Sequence, residues 1–572
     1  MSIDIETYRL KAQEAIEYVF VKEYHNSLGI PMPIVKMLLP DDANYSTGQY
    51  YITIDKTWQI HLNFGKLPIS YHEFQNEVKV LTRHEIEHYM CCPFDVITHF
   101  RMLKRIRDVY YKHFSHLGIN IKYACGAISN QAADIIVDTK NYYRHSKETL
   151  KSEIDWIKIG ANISACPRHC KLMFLTKEAI WKEDLGINET DPEFLKIVHQ
   201  LADSFTKNGI EDKSSFLDKV EEYAEIFFKL YVEDQKNPQQ SSQQGSQQQS
   251  GQQGPQQQSG QQGSQQQSGQ WGVGRPKDGD EHGNAFVFAD PDKVKEAIEV
   301  LAEETSVEEF IDLLAIAGII GMSDKQKGVL WFNVQSANII PIVEFSNTGN
   351  KSSYTYPSVW RIGDPIEELD LMLTYMTSPR LIPGMTTKKW EYVSNDDNGT
   401  ESKQMDLLLV VDTSGSMGSA MKESANMHQA VLASYGILSY FESTKSKVAF
   451  IGFSDKIDAY VDWSDKYDDV RERLLTNGHG GTKFPISRIK STLDVRSRDL
   501  VTVLITDGDL GNINESVSYF RDYLNDDNKL YIFLLGGSKS LHSYEPLKNI
   551  GAKIYNANNA NEFCGMVLTD ME

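Results

Sequence analysis

MDLLLVVDTSGSM, residues 405–417, decides how the second half of this chain folds. An apolar run, Asp406–Val411, leads directly into Asp412 and a turn rich in serine and glycine. Similar apolar runs recur later, and helical stretches separate them: runs at Val448–Phe453, Leu500–Ile505 and Leu530–Leu535, helices at Ala420–Tyr440 and Asn514–Leu524. Short buried strands that alternate with helices predict a parallel, doubly wound α/β sheet.

Polar side chains follow two of these predicted strands where each strand ends. Asp412 closes the first strand and precedes Ser414 and Ser416, and Asp507 closes the third. Thr482 lies between them in a Gly-Gly-Thr segment. Ligands gather at the carboxyl ends of parallel strands, and hydroxyl and carboxylate oxygens suit Mg²⁺ or Mn²⁺. No histidine is placed to activate a serine, so the pattern does not favour a serine hydrolase.

In order and in structural context, these five residues match a metal-ion-dependent adhesion site. Residues 396–572 therefore resemble a von Willebrand factor type A (VWA) domain with that site intact. The resemblance implies Mg²⁺ or Mn²⁺ at Asp412, Ser414, Ser416, Thr482 and Asp507, with a carboxylate of a protein client as the last ligand. The alternative is a serine- and glycine-rich turn without function.

A second motif, His84-Glu85-Ile86-Glu87-His88, lies in the first half of the chain. Glu77–Met90 has the apolar spacing of a helix, and residues four apart share one helical face. His84 and His88 can therefore bind one ion, while Glu85 can act as a general base toward water. The alternative is an amphipathic helix whose histidines make ordinary surface hydrogen bonds.

A zinc ion on two histidines needs a third protein ligand, and the predicted helix Ala132–Tyr143 offers carboxylates. Asp134 is the candidate ligand, and Asp138, one turn later, can accept a hydrogen bond from His84 and fix its tautomer. This layout resembles the zincin metallopeptidases, in which the ligand at this position is a glutamate. Because aspartate is one methylene shorter, ligation through Asp138 stays open. We also expect the alternating strand Trp58–Phe64 to lie along the cleft.

A low-complexity segment divides the chain. Residues 238–270 are almost only Gln, Gly and Ser, with a nine-residue unit repeated three times, and cannot bury enough apolar surface to fold. Four parts are predicted: 1–236, an α+β zincin-like domain; 237–285, a disordered linker; 286–395, a helical or irregular connector; 396–572, the VWA domain. Such a linker would let one domain search around the other. In the connector, Val329–Val334 and Ile339–Phe345 alternate like a pair of strands.

The composition indicates a cytoplasmic protein. A net charge of −21 argues against binding to nucleic acid or to anionic membranes, and the basic strip Arg101–Lys122 is predicted to be a solvated helix face. No apolar run approaches the roughly 20 residues of a membrane span. Met1–Leu10 is not a secretion signal, and Cys166–Cys170 fits zinc patterns poorly, so its thiols are expected to be reduced and structural.

The combination of both motifs resembles the bacterial and phage family of VWA-containing metallopeptidase-like proteins. The match covers both ends of the chain and, in the connector, Trp360–Asp364 with the leucine-rich helix after it. The resemblance implies a MoxR-type AAA+ ATPase as partner. Two functions stay open: a zinc peptidase recruited through its VWA domain, or a non-catalytic adaptor of an AAA+ machine, similar to the VWA subunits of cobaltochelatases.

Overall fold

The structure is a computed structural model. In it the chain folds into two units. It describes residues 5–38, 50–54, 59–64, 70–160, 163–236, 291–319, 321–337, 354–360, 388–392, 405–496, 499–508, 510–536 and 541–557. Met1–Glu304 and Glu309–Gly321 form the first unit, and Thr305–Glu308 and Met322–Glu572 form the second. The predicted linker 237–285, residues Ile339–Phe345 and residues 361–364 lie outside the described ranges. Within those ranges no helix has the length and apolar character needed to cross a membrane.

The first unit is mainly helical and carries one small sheet. Its helices are α1 Ile5–Tyr18, α2 Tyr71–Met90, α3 Val96–Val109, α4 Ile121–Gly160, α5 Arg168–Trp181, α6 Pro192–Thr206, α7 Phe216–Lys236, α8 Pro291–Glu304 and α9 Val307–Ile316, the last beginning within the residues assigned to the second unit. Its strands are β1 Ile34–Leu38, β2 Tyr50–Ile54 and β3 Gln59–Phe64, in the order β1-β3-β2.

The predicted strand Trp58–Phe64 is present as β3, but it occupies the centre of this sheet. On one side Ile60 pairs with Val35 of β1, and on the other with Ile54 of β2. Because both backbone edges are occupied, β3 has no row of free N–H and C=O groups to offer a bound peptide. In the described part of the sheet, the edges belong to β1 and β2, so a peptide that adds to this sheet would pair with one of them. The expectation that β3 lies along the cleft stays a prediction.

Helix α4 is two helical segments joined at His145, whose backbone is not helical (φ −135°, ψ 49°). A straight helix would separate Asp138 from Glu153 by about 22 Å at a rise of 1.5 Å per residue. Instead both carboxylates reach the ammonium group of Lys177 on α5, at 2.6 Å and 2.8 Å. The second segment also contacts α2, since Ser152 Oγ donates to Glu77 Oε2 at 2.7 Å. The break therefore folds α4 back against its neighbours.

The basic strip on α3 is partly exposed, as predicted, and several of its side chains also pair with acidic residues of the same unit. Arg101 contacts Glu304, and Arg107 lies 2.9 Å from Asp312. Arg105 lies 2.9 Å from Glu221. Helices α7 and α8 both pack on α3, so the chain on either side of residues 237–290 belongs to one unit. The predicted connector 286–395 is thus shared between both units.

The second unit is built on a six-stranded, mostly parallel sheet. Its strands are β6 Asp406–Asp412, β7 Val448–Phe453, β8 Ile457–Ser464, β9 Leu500–Thr506, β10 Lys529–Leu535 and β11 Lys553–Ala557; a separate pair is β4 Tyr354–Val359 and β5 Lys388–Tyr392. Its helices are α10 Asp324–Ala337, α11 Asn426–Ser443, α12 Tyr467–Leu474, α13 Ile486–Leu493, α14 Val517–Asn525 and α15 Leu541–Lys548. The strand order is β11-β10-β9-β6-β7-β8, and β8 alone in this sheet is antiparallel.

The sheet is covered on both faces. Leu407 to Asp412 of β6 are all buried, and successive side chains of a strand point to opposite faces. The chain runs from β6 outward through β7 and β8, then returns to place β9 on the other side of β6. The strand order therefore reverses between β6 and β9, and ligands bind at such a switch point in open α/β sheets. The predicted mixed α/β architecture with a parallel sheet is confirmed.

The predicted strand Val329–Val334 is wrong, because these residues lie inside α10. The buried residues Gly328, Trp331 and Phe332 recur at helical spacing, and Trp331 and Phe332 contact His428 of α11. Phe332 packs against Tyr435 of α11, with their ring centroids 5.6 Å apart. A short apolar run fits either kind of element, and tertiary packing decided this one.

Candidate metal sites

Helices α2 and α4 bring two histidines and one aspartate together in the first unit. His84 Nε2 and His88 Nε2 lie 3.1 Å apart, and Asp134 Oδ1 lies 3.5 Å from the first and 3.2 Å from the second. These three residues form a group of potential ligands whose atoms all lie within 4.8 Å of one another.

The three distances fit a tetrahedral metal ion. Ligands 2.0–2.1 Å from a tetrahedral centre are separated by about 3.3 Å, close to the three separations given above. Two imidazole nitrogens and one carboxylate oxygen are also a donor set typical of zinc with an open fourth position. The residues present therefore fit a zinc ion.

Hydrogen bonds behind the two rings turn both Nε2 atoms toward Asp134. His88 Nδ1 lies 2.9 Å from the carbonyl oxygen of Cys92, which can only accept, so His88 carries its proton on Nδ1. His84 Nδ1 lies 2.6 Å from Asp138 Oδ1. Asn130 Nδ2 donates to Asp134 Oδ2 at 2.8 Å and leaves Oδ1 facing the imidazoles. Asp134 thus lies on the ligand side of the rings, and Asp138 lies behind His84.

The charges around His84 favour a cation. Burial by itself lowers the pKa of His84, but Asp138 and then Asp134 outweigh burial and raise it to about 9. Burial likewise raises the pKa of Asp138, and Lys177 and His84 outweigh it, so that the pKa falls to about 2. The negative charges of Asp138 and Asp134, which stabilise the proton on His84, would also stabilise a bound metal ion.

Glu85 lies beside the first histidine and is buried. Its Oε2 atom is buried and has no hydrogen-bond partner among the residues that the structure describes. Its negative charge acts on His84, where it helps to raise the pKa. A carboxylate with an unused oxygen beside two metal-ligand candidates is able to accept a proton from water.

Buried ion pairs fix the position of α2. Arg83 is almost fully buried and contacts Glu148 and, at 2.6 Å, Glu23. The carboxylate of Glu87, also on α2, lies 2.8 Å from Lys140 Nζ and accepts a hydrogen bond from the Tyr24 hydroxyl at 2.9 Å. Removing one partner from such a pair leaves an uncompensated buried charge, so these contacts hold the helix in one rotation.

His99 of α3 is a site neighbour that the sequence did not reveal. Burial first, and then the nearby His88, lower the pKa of His99 to about 4. The ring is therefore neutral at pH 7 and able to donate a hydrogen bond without carrying charge. No motif links His99 to His88, because the two residues lie on different helices, α3 and α2.

The second candidate site lies at the switch point of the six-stranded sheet. Asp412 ends β6, and its Oδ1 accepts from the backbone N–H of Ser414 at 2.8 Å. Ser414 Oγ lies 3.1 Å from Ser416 Oγ, which donates to Asp507 Oδ1 at 3.0 Å. Asp507 follows β9, the strand beside β6. Four of the five predicted oxygen ligands therefore form one hydrogen-bonded cluster.

Thr482 lies on a loop that contacts this cluster through its backbone. The N–H of Gly415 donates to the carbonyl oxygen of Gly480 at 3.3 Å, two residues before Thr482. Gly480 has φ +120°, a conformation that favours glycine, and a Cβ there would meet Asp455 at 3.2 Å. The hydrogen bonds of the described residues join the other four predicted ligands and do not include the Thr482 side chain.

Two neighbours of this second cluster were not predicted. Asn426, at the start of α11, donates through Nδ2 to Asp507 Oδ2 at 3.2 Å. Thr506 donates to Asp412 Oδ2 at 2.6 Å. Burial raises the pKa of Asp412, and the adjacent Asp507 raises it further, against the hydrogen bonds from Thr506 and Ser414. A cation between the two carboxylates would relieve this repulsion.

The Cys166–Cys170 segment forms no comparable cluster within the described residues. Neither cysteine forms a disulfide, and burial raises the pKa of Cys170 to about 12. A thiol that stays protonated is a poor ligand and a poor nucleophile. The structure is therefore consistent with reduced, structural cysteines.

Comparisons with known proteins do not identify a family. No family model matches this chain. No curated protein matches it either. A solved structure of the conserved hypothetical protein BatB from Bacteroides thetaiotaomicron is similar over 29% of this chain and 98% of that chain, with 13% sequence identity and a TM-score of 0.25. At that TM-score the likeness carries no argument about fold or function.

Proposed function

We propose that this protein is a zinc-dependent, metallopeptidase-like enzyme whose second unit binds Mg²⁺ or Mn²⁺ and recruits a protein. The observation that carries the proposal is the His84–His88–Asp134 triangle, with separations of 3.1–3.5 Å, next to the buried carboxylate of Glu85. A tetrahedral ion fits this triangle, and its position next to a general base is typical of metallopeptidases.

In this proposal each residue has a separate task. A zinc ion held by His84, His88 and Asp134 would supply Lewis acidity toward water and a peptide carbonyl. Glu85 would accept a proton from water on its unused carboxylate oxygen and donate it to the leaving amine. Asp138 and the carbonyl of Cys92 keep the Nε2 atoms of His84 and His88 aimed at one point.

The cluster around Asp412 would bind Mg²⁺ or Mn²⁺ and, through the ion, a carboxylate of a partner. Its position at the switch point and its ligand types support this role, as does the sequence resemblance to VWA domains. Neutral hydroxyls from Ser414, Ser416 and Thr482 would leave the ion electron-poor, which favours a negatively charged last ligand. We propose a MoxR-type AAA+ ATPase or its client as the protein bound there.

The alternative is a non-catalytic adaptor or substrate-recognition subunit of an AAA+ machine, similar to a cobaltochelatase subunit. One observation favours it: among the described residues, the hydrogen bonds of the Asp412 cluster involve only residues of the second unit. Protein recruitment by this site therefore does not depend on peptide hydrolysis at Glu85.

Zinc analysis combined with proteolysis separates the two functions. Wild-type protein should contain one zinc ion per chain and cleave denatured casein, and Glu85→Gln should keep the zinc and lose at least about 100-fold in rate. Equal cleavage by both proteins would exclude Glu85 as the base. Zinc-loaded wild-type protein without cleavage of casein or other unfolded substrates would instead favour the adaptor.

A further inference from the structure

A buried chain of charged groups runs away from the zinc-site candidate into the interior of the first unit. His84 Nδ1 contacts Asp138 Oδ1, and the other oxygen of Asp138 accepts from Lys177 Nζ at 2.6 Å. Lys177 also donates to Glu153 Oε1 at 2.8 Å. The Lys177 side chain is 2% exposed, which is unusual for a lysine and requires that its charge be fully paired.

The geometry divides the two oxygens of Asp138 between different partners. A carboxylate with one partner can rotate about its Cβ–Cγ bond, whereas one held on both oxygens has a fixed plane. Lys177 projects from α5 and Asp138 from α4, so the contact also fixes the carboxylate relative to a second helix. Groups behind a metal-binding histidine set the direction in which its ring points.

We infer that Lys177 is a positioning residue of the zinc site: it holds Asp138 so that this carboxylate orients His84. The inference rests on the proposed zinc site but not on peptide hydrolysis. Glu153 completes the arrangement, because it is the second carboxylate that accepts a hydrogen bond from the Lys177 ammonium group. Glu153 reaches Lys177 only because α4 breaks at His145.

A second buried lysine on the same helix provides a matched control. Lys171 of α5 lies 2.9 Å from Glu189, and both side chains are about as buried as those of the Asp138 contact. The structure gives Lys171 no hydrogen bond or ion pair to His84, His88 or Asp134 among the described residues. Its removal tests the general effect of deleting a buried ion pair from α5.

The experiment compares zinc dissociation constants, measured by chelator competition on full-length proteins. Lys177→Met/Glu153→Gln, which deletes the ammonium without leaving Glu153 charged, should bind zinc about tenfold more weakly than wild type. Lys171→Met/Glu189→Gln should bind like wild type. In an Asp138→Asn background, the Lys177→Met/Glu153→Gln change should produce no further weakening, since Lys177 acts through Asp138.

Three results would overturn the inference: unchanged zinc affinity in Lys177→Met/Glu153→Gln, equal weakening in the Lys171 control, or effects that add fully to Asp138→Asn. If Lys177→Met/Glu153→Gln does not fold, as judged by circular dichroism, Lys177→Arg is measured instead, alone and with Asp138→Asn. It keeps the charge but displaces the donor, so an intermediate affinity that disappears with Asp138→Asn is expected. Wild-type protein that binds no zinc would refute the proposed function itself.

Discussion

The Nδ1 atom of His88 lies 2.9 Å from the carbonyl oxygen of Cys92, one turn beyond it, where α2 has ended. This contact favours the tautomer with the proton on Nδ1 and turns Nε2 toward His84 Nε2 and Asp134 Oδ1. The carbonyl group of Cys92, just beyond the end of α2, thus orients His88 for metal binding. A backbone acceptor cannot be removed by a side-chain substitution, so this half of the site should tolerate changes at Cys92.

Removal of His84 should abolish zinc binding. His84→Ala deletes one of three ligand candidates, and we expect at least about a 100-fold loss of zinc affinity, measured by chelator competition and elemental analysis. His72→Ala is the matched control, because His72 is an exposed histidine on the same helix. Zinc retained in the His84 variant at wild-type stoichiometry would contradict the site.

Asp134 and Asp138 should differ in the size of their effects. Asp134 Oδ1 lies on the Nε2 side of both rings, so Asp134→Asn should reduce zinc binding below detection. Asp138 lies behind His84, so Asp138→Asn should weaken zinc binding by about 10–100-fold and leave it measurable. The reverse order would identify Asp138 as the ligand, the possibility that the sequence left open.

Zinc affinity should rise with pH across the neutral range. The pKa of His84 is about 9, so below that pH a metal ion must displace a proton from the ring. Apparent affinity should therefore increase by up to about tenfold per pH unit between pH 6 and pH 9 and level off above it. Chelator competition, corrected for protonation of the chelator, measures this slope. A flat profile over the same range would contradict it.

The Asp412 cluster should bind Mn²⁺, detectable by electron paramagnetic resonance as loss of the free-ion signal. Ser416→Ala removes the hydroxyl that contacts Asp507 and should weaken Mn²⁺ binding by about tenfold, roughly the loss of one oxygen ligand. Asp522→Ala, an exposed carboxylate on α14, should have no effect. Equal weakening in both would show that the ion is held only by the general negative charge of the chain.

Arg83 should be needed for stability rather than for chemistry. Its guanidinium is almost fully buried between Glu23 and Glu148, and Arg83→Met removes the cation that both carboxylates contact. We expect the free energy of unfolding to fall by about 3–5 kcal/mol, measured by urea denaturation. Lys11→Met, which breaks an exposed ion pair with Glu14, should leave the denaturation midpoint unchanged. A wild-type midpoint for the Arg83 variant would refute the structural role.

The sequence predicted the elements that carry both sites, because their signals are local. The spacing of His84 and His88 depends only on helical geometry, and Asp412 directly follows the apolar run of its strand. Contacts between distant segments were not predictable in this way. Lys177 and Asn426 reach their sites from other helices, and β3 proved to be central because β1 and β2 pair on both of its sides.

Helices α7 and α8 both pack on α3, so the two helices that flank the Gln-rich repeats belong to the same unit. For a chain closed at both ends, doubling its length costs only about 0.6 kcal/mol. Adding or deleting nine-residue copies should thus be nearly neutral for the folding of the first unit.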